Sequence, residues 1–318
     1  MQIRTLSDYC REVFGTKLYR LSLTSGCSCP NRDGTLGYGG CSFCSEQGSG
    51  EFAAVLPDIH DQIEAAKQKV AQKLPKGVRS EGQRYIAYFQ SFTNTYGDTA
   101  RLVSLFEEVL RRGDIAALSI GTRPDCLKAD MLEALERLNR SKPVWIELGL
   151  QTIHERTALR FNRGYALECF AENYSKLKCR GIAVIVHVIL GLPGESPEDM
   201  YETVRYLASL CPPPDGIKLH GLHILRGTRL AAEYLREPFH IMSLPEYTEV
   251  LIHCLKLLPE TVVIHRMTGD GDKRLLIEPQ WSGDKKRVLN YINRALREAK
   301  RDRGDGQEST EAFEAADQ

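Results

Sequence analysis

The strongest constraint on the fold is a repeated alternation of short apolar segments with longer segments of helical periodicity. We count six such units, and their apolar segments are rich in β-branched and aromatic residues. This order is typical of βα units around a parallel sheet, in which helices cover the sheet between consecutive strands. The predicted strands are residues 18–24, 84–90, 115–121, 144–150, 182–190 and 216–224. The predicted helices are residues 59–74, 98–112, 128–140, 165–180, 196–210 and 244–258.

The fifth predicted strand is almost continuously apolar, as expected of a strand that is covered on both faces. After the sixth unit come one more apolar stretch, residues 261–265, and a closing helix over 284–303. We therefore predict an α/β fold, a partial (β/α)6 barrel of the TIM type that is open on one side and carries a C-terminal extension.

Four regions are expected along the chain. They are an N-terminal segment (1–17), the barrel (18–240), a C-terminal extension packed on the barrel (241–303) and a disordered tail (304–318). The tail has no basic residue and little to bury, which favours disorder.

Composition excludes several classes of protein. The 42 basic residues balance the 42 acidic ones, so the chain lacks the overall field of a dedicated nucleic-acid binder. The closing helix nevertheless carries a local basic face, which is compatible with RNA phosphate or with an ordinary solvated helix. Ten cysteines are too sparse for a disulfide scaffold, and no apolar signal-peptide core or membrane span is visible. A cytoplasmic protein with no membrane partner is expected.

Four of the ten cysteines, Cys27, Cys29, Cys41 and Cys44, fall within eighteen positions. The last three form a Cys-x11-Cys-x2-Cys pattern on a glycine-rich loop directly after the first predicted strand. A structural zinc site normally closes with four ligands, whereas a [4Fe-4S] cluster held by three thiolates leaves one iron open to a small molecule. The alternative is a zinc site that Cys27 or a distant residue completes.

Residues 29–35 read Cys-Pro-Asn-Arg-Asp-Gly-Thr, and residues 39–44 read Gly-Gly-Cys-Ser-Phe-Cys. This loop resembles that of radical S-adenosylmethionine (SAM) enzymes of the Elp3-like branch, and more closely that of the YhcC/YtqA-like family. The resemblance implies that Cys29, Cys41 and Cys44 hold a [4Fe-4S] cluster whose open iron chelates SAM. It also implies cleavage of SAM to a 5′-deoxyadenosyl radical that abstracts hydrogen from the substrate.

Polar side chains at the strand ends are the expected SAM contacts, because active sites of parallel barrels gather at the C-terminal ends of the strands. Ser91 and Thr93 follow the second strand, where the resemblance implies a ligand for the SAM ammonium group. Strand alternation places Glu147 and Gln151 on one face of the fourth strand, in a segment that contacts SAM in related enzymes. Local capping of a loop is the alternative role for Ser91 or Thr93.

The resemblance implies two further contacts. Arg163 matches an arginine placed to meet the SAM carboxylate, and His187 begins a glycine-containing segment similar to the adenine-binding motif of the superfamily. A structural ion pair between Glu147 and Arg163 is the alternative. Lys218, His220 and His223, on or just after the sixth strand, are candidates for substrate contacts, and no catalytic residue is predicted.

The resemblance implies modification of the aminomethyl side chain of wobble uridine in tRNA. Two alternatives stay open: a radical SAM enzyme acting on a small metabolite or tetrapyrrole, and a non-catalytic metal- or RNA-binding module. The expected partners are an electron donor such as flavodoxin or ferredoxin, tRNA, and a SAM-dependent methyltransferase.

Overall fold

A computed structural model describes residues 3–48, 53, 56–72, 74, 82–269 and 271–301. The strands are β1 (Tyr19–Leu23), β2 (Tyr85–Phe89), β3 (Ile115–Thr122), β4 (Val144–Gln151), β5 (Ala183–Leu190), β6 (Gly216–Gly221), β7 (Ile224–Leu225), β8 (Val263–Arg266) and β9 (Leu276–Glu278). The helices are α1 (Leu6–Phe14), α2 (Ile59–Ala71), α3 (Thr99–Arg111), α4 (Ala129–Asn139), α5 (Glu155–Arg160), α6 (Leu167–Cys179), α7 (Pro197–Ser209), α8 (Arg229–Arg236), α9 (Leu244–Leu257) and α10 (Lys285–Arg301).

The main sheet has seven strands in the order β1-β2-β3-β4-β5-β6-β8, and all neighbouring strands are parallel. The predicted α/β half-barrel is confirmed, and so are the six predicted strands and the helices that follow them. The sheet has one strand more than predicted, because β8 from the expected C-terminal extension pairs with β6. A separate antiparallel pair joins β7 to β9. The predicted disordered tail, 304–318, lies outside the described residues.

Helix α1, which the sequence analysis missed, covers the N-terminal ends of the strands. Thr5 caps it in a capping box with Asp8, and Gly15 ends it in the left-handed conformation. Its Leu6 and Cys10 join a second apolar cluster with Trp145 of β4. The cluster seals this end of the barrel, so the polar interior is shielded from solvent there.

The two edges of the sheet approach each other at the same end of the barrel. Arg20 of β1 lies with its Nη2 atom 3.3 Å from Nδ1 of His265 on β8. The backbone N–H of Ile264 donates to the carbonyl of Arg4 at 2.8 Å, so the segment before α1 pairs with the outer side of β8. The open side of the barrel is therefore narrowed at this end by side chains and by the N-terminal segment.

The main core lies between the outer face of the sheet and the helices. Phe89 of β2 packs on Phe106 of α3 with ring centroids 5.2 Å apart. The last helix also belongs to this core through Val288, Ile292 and Leu296, which are all buried. None of the described helices combines the length and the apolar character that crossing a membrane requires.

Replacing Ile292 by alanine tests whether α10 is an integral part of the fold. Ile292 is fully buried, so we expect Ile292→Ala to lower the free energy of unfolding by about 2–4 kcal/mol. The matched control is Asn290→Ala, at an exposed position of the same helix, which should change stability by less than about 0.5 kcal/mol. Urea unfolding of both variants measures the difference. Equal stability of the two variants would show that α10 does not pack as described.

Candidate active site

The cysteine loop is fastened to the turn that follows α5. The side-chain amide of Asn31 donates to the backbone carbonyls of Asn162 and Arg163, at 2.6 and 3.1 Å. Gly164 lies against it with φ +79°, and a Cβ atom there would come within 2.5 Å of Asn31 Oδ1. Only glycine fits this position without strain or collision. The position of the cysteine loop is thus fixed by a second loop 130 residues away in sequence.

The thiols of Cys29, Cys41 and Cys44 line one cavity of about 690 Å³ at the C-terminal ends of the barrel strands. A hydrogen bond from Cys44 lowers the pKa of the Cys41 thiol to about 7 against the opposing effect of burial, and nearby Arg123 acts in the same direction as Cys44. The same hydrogen bond, together with burial, raises the pKa of the Cys44 thiol well above its usual value, so within this pair Cys41 is the thiol favoured as the metal-binding thiolate. The loop fits an iron–sulfur cluster on its thiol count and its common cavity.

Aromatic side chains shield the outer side of this loop. Phe43, between the last two cysteines, packs on Phe161 with ring centroids 5.2 Å apart, within a small apolar cluster that also contacts Cys41. An apolar cover of this kind restricts solvent access to a cluster and so helps set its redox potential.

The three thiols are not all within 4.8 Å of one another. In the described part of the chain, one trio of potential ligand atoms meets that limit, and it consists of His154, Asp199 and Glu202. The cysteine arrangement is compatible with a [4Fe-4S] core, in which each thiolate binds a different iron. Cys27 does not line the cavity; its sulfur is buried and accepts a bond from Arg101 at 3.5 Å. Cys27 as a fourth ligand is therefore not supported.

The two residues after β2 that are predicted to bind the SAM ammonium group differ in their position relative to the cavity. Thr93 lines the cavity, but Ser91 does not. Tyr88 and Gln90 occupy the inward positions of this segment, so alternation turns Ser91 outward. Phe92, with φ +57°, then reverses the chain and brings Thr93 back to the cavity wall. The prediction for Ser91 is corrected on this ground.

The interior of the barrel has a polar floor centred on the Glu147 carboxylate, which is 1% exposed. Its Oε1 accepts from the Ser119 hydroxyl at 2.8 Å, and its Oε2 accepts from both His187, at 2.8 Å, and Lys218. Lys218 also donates to the Tyr88 hydroxyl at 3.1 Å. The floor therefore connects five neighbouring strands, from β2 to β6. A carboxylate offers about four acceptor sites, so the one at Glu147 is nearly saturated by protein.

Burial alone would raise the pKa of Glu147, but the Lys218 ammonium and the bond from His187 outweigh it and hold that pKa well below its usual range. Burial also lowers the pKa of Lys218, against the effect of Glu147. We assign the charged pair, because three donors converge on Glu147 and only the carboxylate form can accept from all of them.

His187, a predicted SAM contact, lines the cavity beside this carboxylate. Burial, together with the nearby Lys218 charge, lowers its pKa to about 4. The imidazole is therefore neutral at pH 7, and it donates through Nε2 to Glu147. A neutral imidazole has one donor and one acceptor, so Nδ1 is left as a hydrogen-bond acceptor.

Gln151, also a predicted SAM contact, lines the cavity at the end of β4 in a strained backbone conformation with φ +66°. The Tyr165 hydroxyl donates to the carbonyl of Gly149 at 2.8 Å and lies 3.2 Å from Gln151 Oε1. Strained residues cluster at ligand sites, where the surroundings hold them in place. This geometry favours a binding role for Gln151.

Arg163, predicted to meet the SAM carboxylate, lines the cavity. Four of its five N–H groups bind protein: one donates to Tyr165 O, two to the Leu150 and Thr152 carbonyls, and one to Glu155 Oε1 at 2.5 Å. These bonds leave the guanidinium without a free pair of parallel N–H groups for a bidentate contact with a carboxylate. The alternative ion pair with Glu147 is wrong, because Lys218 takes that place. Arg163 also fixes the turn that anchors Asn31.

Arg20 of β1 and Tyr88 of β2 are among the cavity residues that the sequence analysis missed. Strand alternation with Ser22 and Gln90 was the signal that could have identified them. His220 and His223, predicted as substrate contacts, do line the cavity, whereas Lys218 belongs to the floor.

Comparison with known proteins agrees with this site. The Radical SAM superfamily profile matches residues 29–207, and the Radical_SAM C-terminal domain profile matches residues 214–298. The chain therefore belongs to the radical SAM superfamily; it is an enzyme of that class, and its cofactors are a [4Fe-4S] cluster and SAM.

Within the superfamily the chain groups with the YhcC/YtqA-like proteins, as the cysteine loop predicts. It is 42% identical to YtqA of Bacillus subtilis (strain 168) over 293 residues, which cover 92% of this chain and 88% of YtqA. It is 33% identical to YhcC of Escherichia coli (strain K12) over 286 residues, covering 90% and 89% of the two chains. The fold is also similar to that of archaeal Methanocaldococcus infernus Elp3, with a TM-score of 0.60, 20% identity, and coverage of 74% and 58%.

Four single alanine variants test the assignment of the cluster ligands. After anaerobic reconstitution, the wild-type protein should contain about four irons per chain and form 5′-deoxyadenosine with SAM and dithionite. Cys29→Ala, Cys41→Ala and Cys44→Ala should lose at least tenfold of that product. Cys27→Ala is the matched control and should retain both iron and product. Loss of iron in Cys27→Ala, or zinc in place of iron in the wild-type protein, would contradict the assignment.

A double-mutant cycle tests the floor of the barrel. Lys218→Met leaves the Glu147 carboxylate buried without its cation, so we expect a loss of about 3–5 kcal/mol of stability at pH 7. The double variant Lys218→Met/Glu147→Gln should recover much of this loss. Folding lowers the pKa of Glu147, so its contribution is present above the unfolded pKa and is lost as pH falls toward the folded value. Urea unfolding between pH 3 and 7 measures both effects; additive single-variant effects would contradict the pairing.

Proposed function

We propose that this chain holds its [4Fe-4S] cluster through Cys29, Cys41 and Cys44 and acts on the aminomethyl side chain of wobble uridine in tRNA. The observation that carries the first part is the convergence of three thiols and the polar strand ends on one cavity. The substrate is the one implied by the resemblance of residues 29–44 to the YhcC/YtqA-like family. The similarity of fold to an Elp3 protein supports the Elp3-like part of that resemblance.

When bound, the cluster and SAM supply the 5′-deoxyadenosyl radical. Thr93, Gln151 and His187 are the proposed SAM contacts, because all three line the cavity together with the thiols. The contact from His187 accepts a hydrogen bond, since Glu147 takes its Nε2–H. Helix α1 closes the far end of the barrel, so the substrate enters from the C-terminal ends of the strands.

The open side of the barrel suits a substrate much larger than the cavity, of which only one nucleoside has to enter. His220 and His223 line the cavity and are candidates to meet that nucleoside. We also propose an external electron donor such as flavodoxin or ferredoxin, because the sequence has no second group of cysteines for an auxiliary cluster. A SAM-dependent methyltransferase that continues the modification remains part of the same proposal.

Nucleoside analysis tests the substrate. We expect deletion of the gene to change the modified wobble uridines of bulk tRNA, because the side chain is no longer processed. Re-expression of the wild-type chain should restore them, and the matched control Cys27→Ala should restore them as well. Cys41→Ala should not. Liquid chromatography with mass spectrometry of digested tRNA gives the readout.

Two outcomes separate the proposal from its alternatives. Unchanged wobble uridines in an organism without a redundant enzyme would contradict the tRNA substrate. If the purified protein still cleaves SAM in that case, the reaction belongs to a small metabolite or tetrapyrrole.

A further inference from the structure

The outward face of α10 is strongly cationic. The helix contains seven lysines and arginines and one carboxylate, Glu298. The whole chain is neutral, so the remainder of the chain carries a net charge of −6. Seven of the 42 basic residues therefore lie on this one helix, and five of the compensating acidic residues lie in residues 304–318, directly after it in sequence. The exposed cations, which we call the α10 basic face, are Lys286, Arg287, Arg294, Arg297 and Arg301.

The side of α10 that is buried in the core determines which way the α10 basic face points. Val288, Ile292 and Leu296 pack into the core, at the spacing of one helix stripe. The exposed cations fall on the other side of the helix, from its first turn to its last. With a rise of about 1.5 Å per residue, the face extends over roughly 22 Å. A surface of this length can meet several successive phosphates of a nucleic acid.

The charges at the start of the helix oppose its dipole. Lys285, Lys286 and Arg287 occupy the first turn, which contains no acidic residue; Asp284, directly before the helix, accepts from the backbone N–H of Arg287 at 3.1 Å and offsets part of the positive charge. The N-terminus of a helix carries a partial positive charge, so cations there are unfavourable for the isolated helix. Aspartate or glutamate at these three positions would stabilise the helix more than lysine or arginine does. An external anion would offset the unfavourable placement.

Carboxylates in the described part of the chain neutralise only a small part of the face; the acidic residues after position 301 lie outside that part. Along α10, the described ion pair is Arg294 with Glu298, whose Nε and Oε1 atoms are 3.6 Å apart. Both side chains are about two-thirds exposed, so this pair is weak and leaves the face with a large positive excess.

The basic face begins at the rim of the active-site cavity. Lys285, the first residue of α10, lines that cavity together with Gly221 and His223. The exposed cations Lys286 and Arg287 follow directly in sequence. A polyanion lying along α10 would therefore reach the cavity at one end of the helix.

We propose that the α10 basic face is a docking surface for RNA phosphates, which holds tRNA while one nucleoside enters the cavity. The proposal rests on the proposed function for its substrate and adds where that substrate binds. RNA is the occupant because the face matches it in charge and length and is continuous with the cavity.

Removing three arginines from this face tests the proposal. The variant is Arg287→Gln/Arg294→Gln/Arg297→Gln, and the matched control is Arg111→Gln/Arg137→Gln/Arg140→Gln, on α3, on α4 and at the C-cap of α4. The control arginines are 61–76% exposed and lie near carboxylates, as Arg294 does, so both variants should fold. Binding of bulk tRNA is measured from 50 to 300 mM salt by filter retention, with circular dichroism to confirm folding.

We expect the α10 variant to bind tRNA roughly ten- to a hundredfold more weakly at low salt, and its log–log salt slope to be smaller by about 2–3. Formation of 5′-deoxyadenosine without RNA should equal that of wild type, because these residues lie outside the cavity. The α3/α4 control should bind as wild type does. Limited proteolysis with chymotrypsin, whose sites in α10 the substitutions leave unchanged, confirms that α10 stays protected in both variants.

Two results would overturn the docking surface. If the α10 variant keeps the wild-type affinity and slope, RNA binds elsewhere, and the proposed function stands without this surface. If the wild-type protein binds no tRNA at any salt concentration, the docking surface fails. The nucleoside analysis then decides the proposed function independently.

Discussion

The buried carboxylate of Glu147 is the group on which the interior of this barrel depends. A charge removed from water costs several kcal/mol unless donors replace the lost hydration, and here three donors from β3, β5 and β6 do so. The hydrogen bonds to this carboxylate fix the side chains of His187 and Lys218, and Lys218 in turn fixes that of Tyr88. The floor therefore connects five strands of the sheet and determines which atoms face a bound ligand.

A second constraint ties the cluster loop to the barrel. Asn31 joins the cysteine loop to the turn at Arg163, and Arg163 in turn is held by the carbonyls at the end of β4. Displacement of β4 would therefore be transmitted to the cysteines through hydrogen bonds. Because β4 also carries Glu147 and Gln151, one strand positions both the floor and the wall of the cavity. These hydrogen bonds through β4 can fix the thiols relative to the polar groups of Glu147 and Gln151 even where the two sets do not touch.

Much of the fold follows from the sequence, because alternation of apolar strands and amphipathic helices is a local signal. The cysteine loop could be predicted for the same reason, because its pattern lies within one short segment of the sequence. Partners distant in sequence were not predictable: Arg163 binds Glu155 and backbone carbonyls, and Glu147 binds Lys218, 71 residues away. The outward position of Ser91 follows from strand alternation with Gln90, whereas the return of Thr93 to the cavity depends on the left-handed residue Phe92, which no residue type there signals. Helix α1 did have a signal, the capping box from Thr5 to Asp8.

The distribution of polar groups indicates how a large substrate and a protected radical can share one barrel. Apolar residues of α1 seal one end, and a nearly saturated ionic network forms the floor. The opposite end holds the thiols and histidines that line the cavity. The cations of α10 begin at that rim and point away from the interior, where a phosphate backbone can stay hydrated. For the proposed RNA substrate, phosphate recognition on α10 and nucleoside binding in the cavity are compatible, because RNA need not desolvate its backbone to deliver one nucleoside.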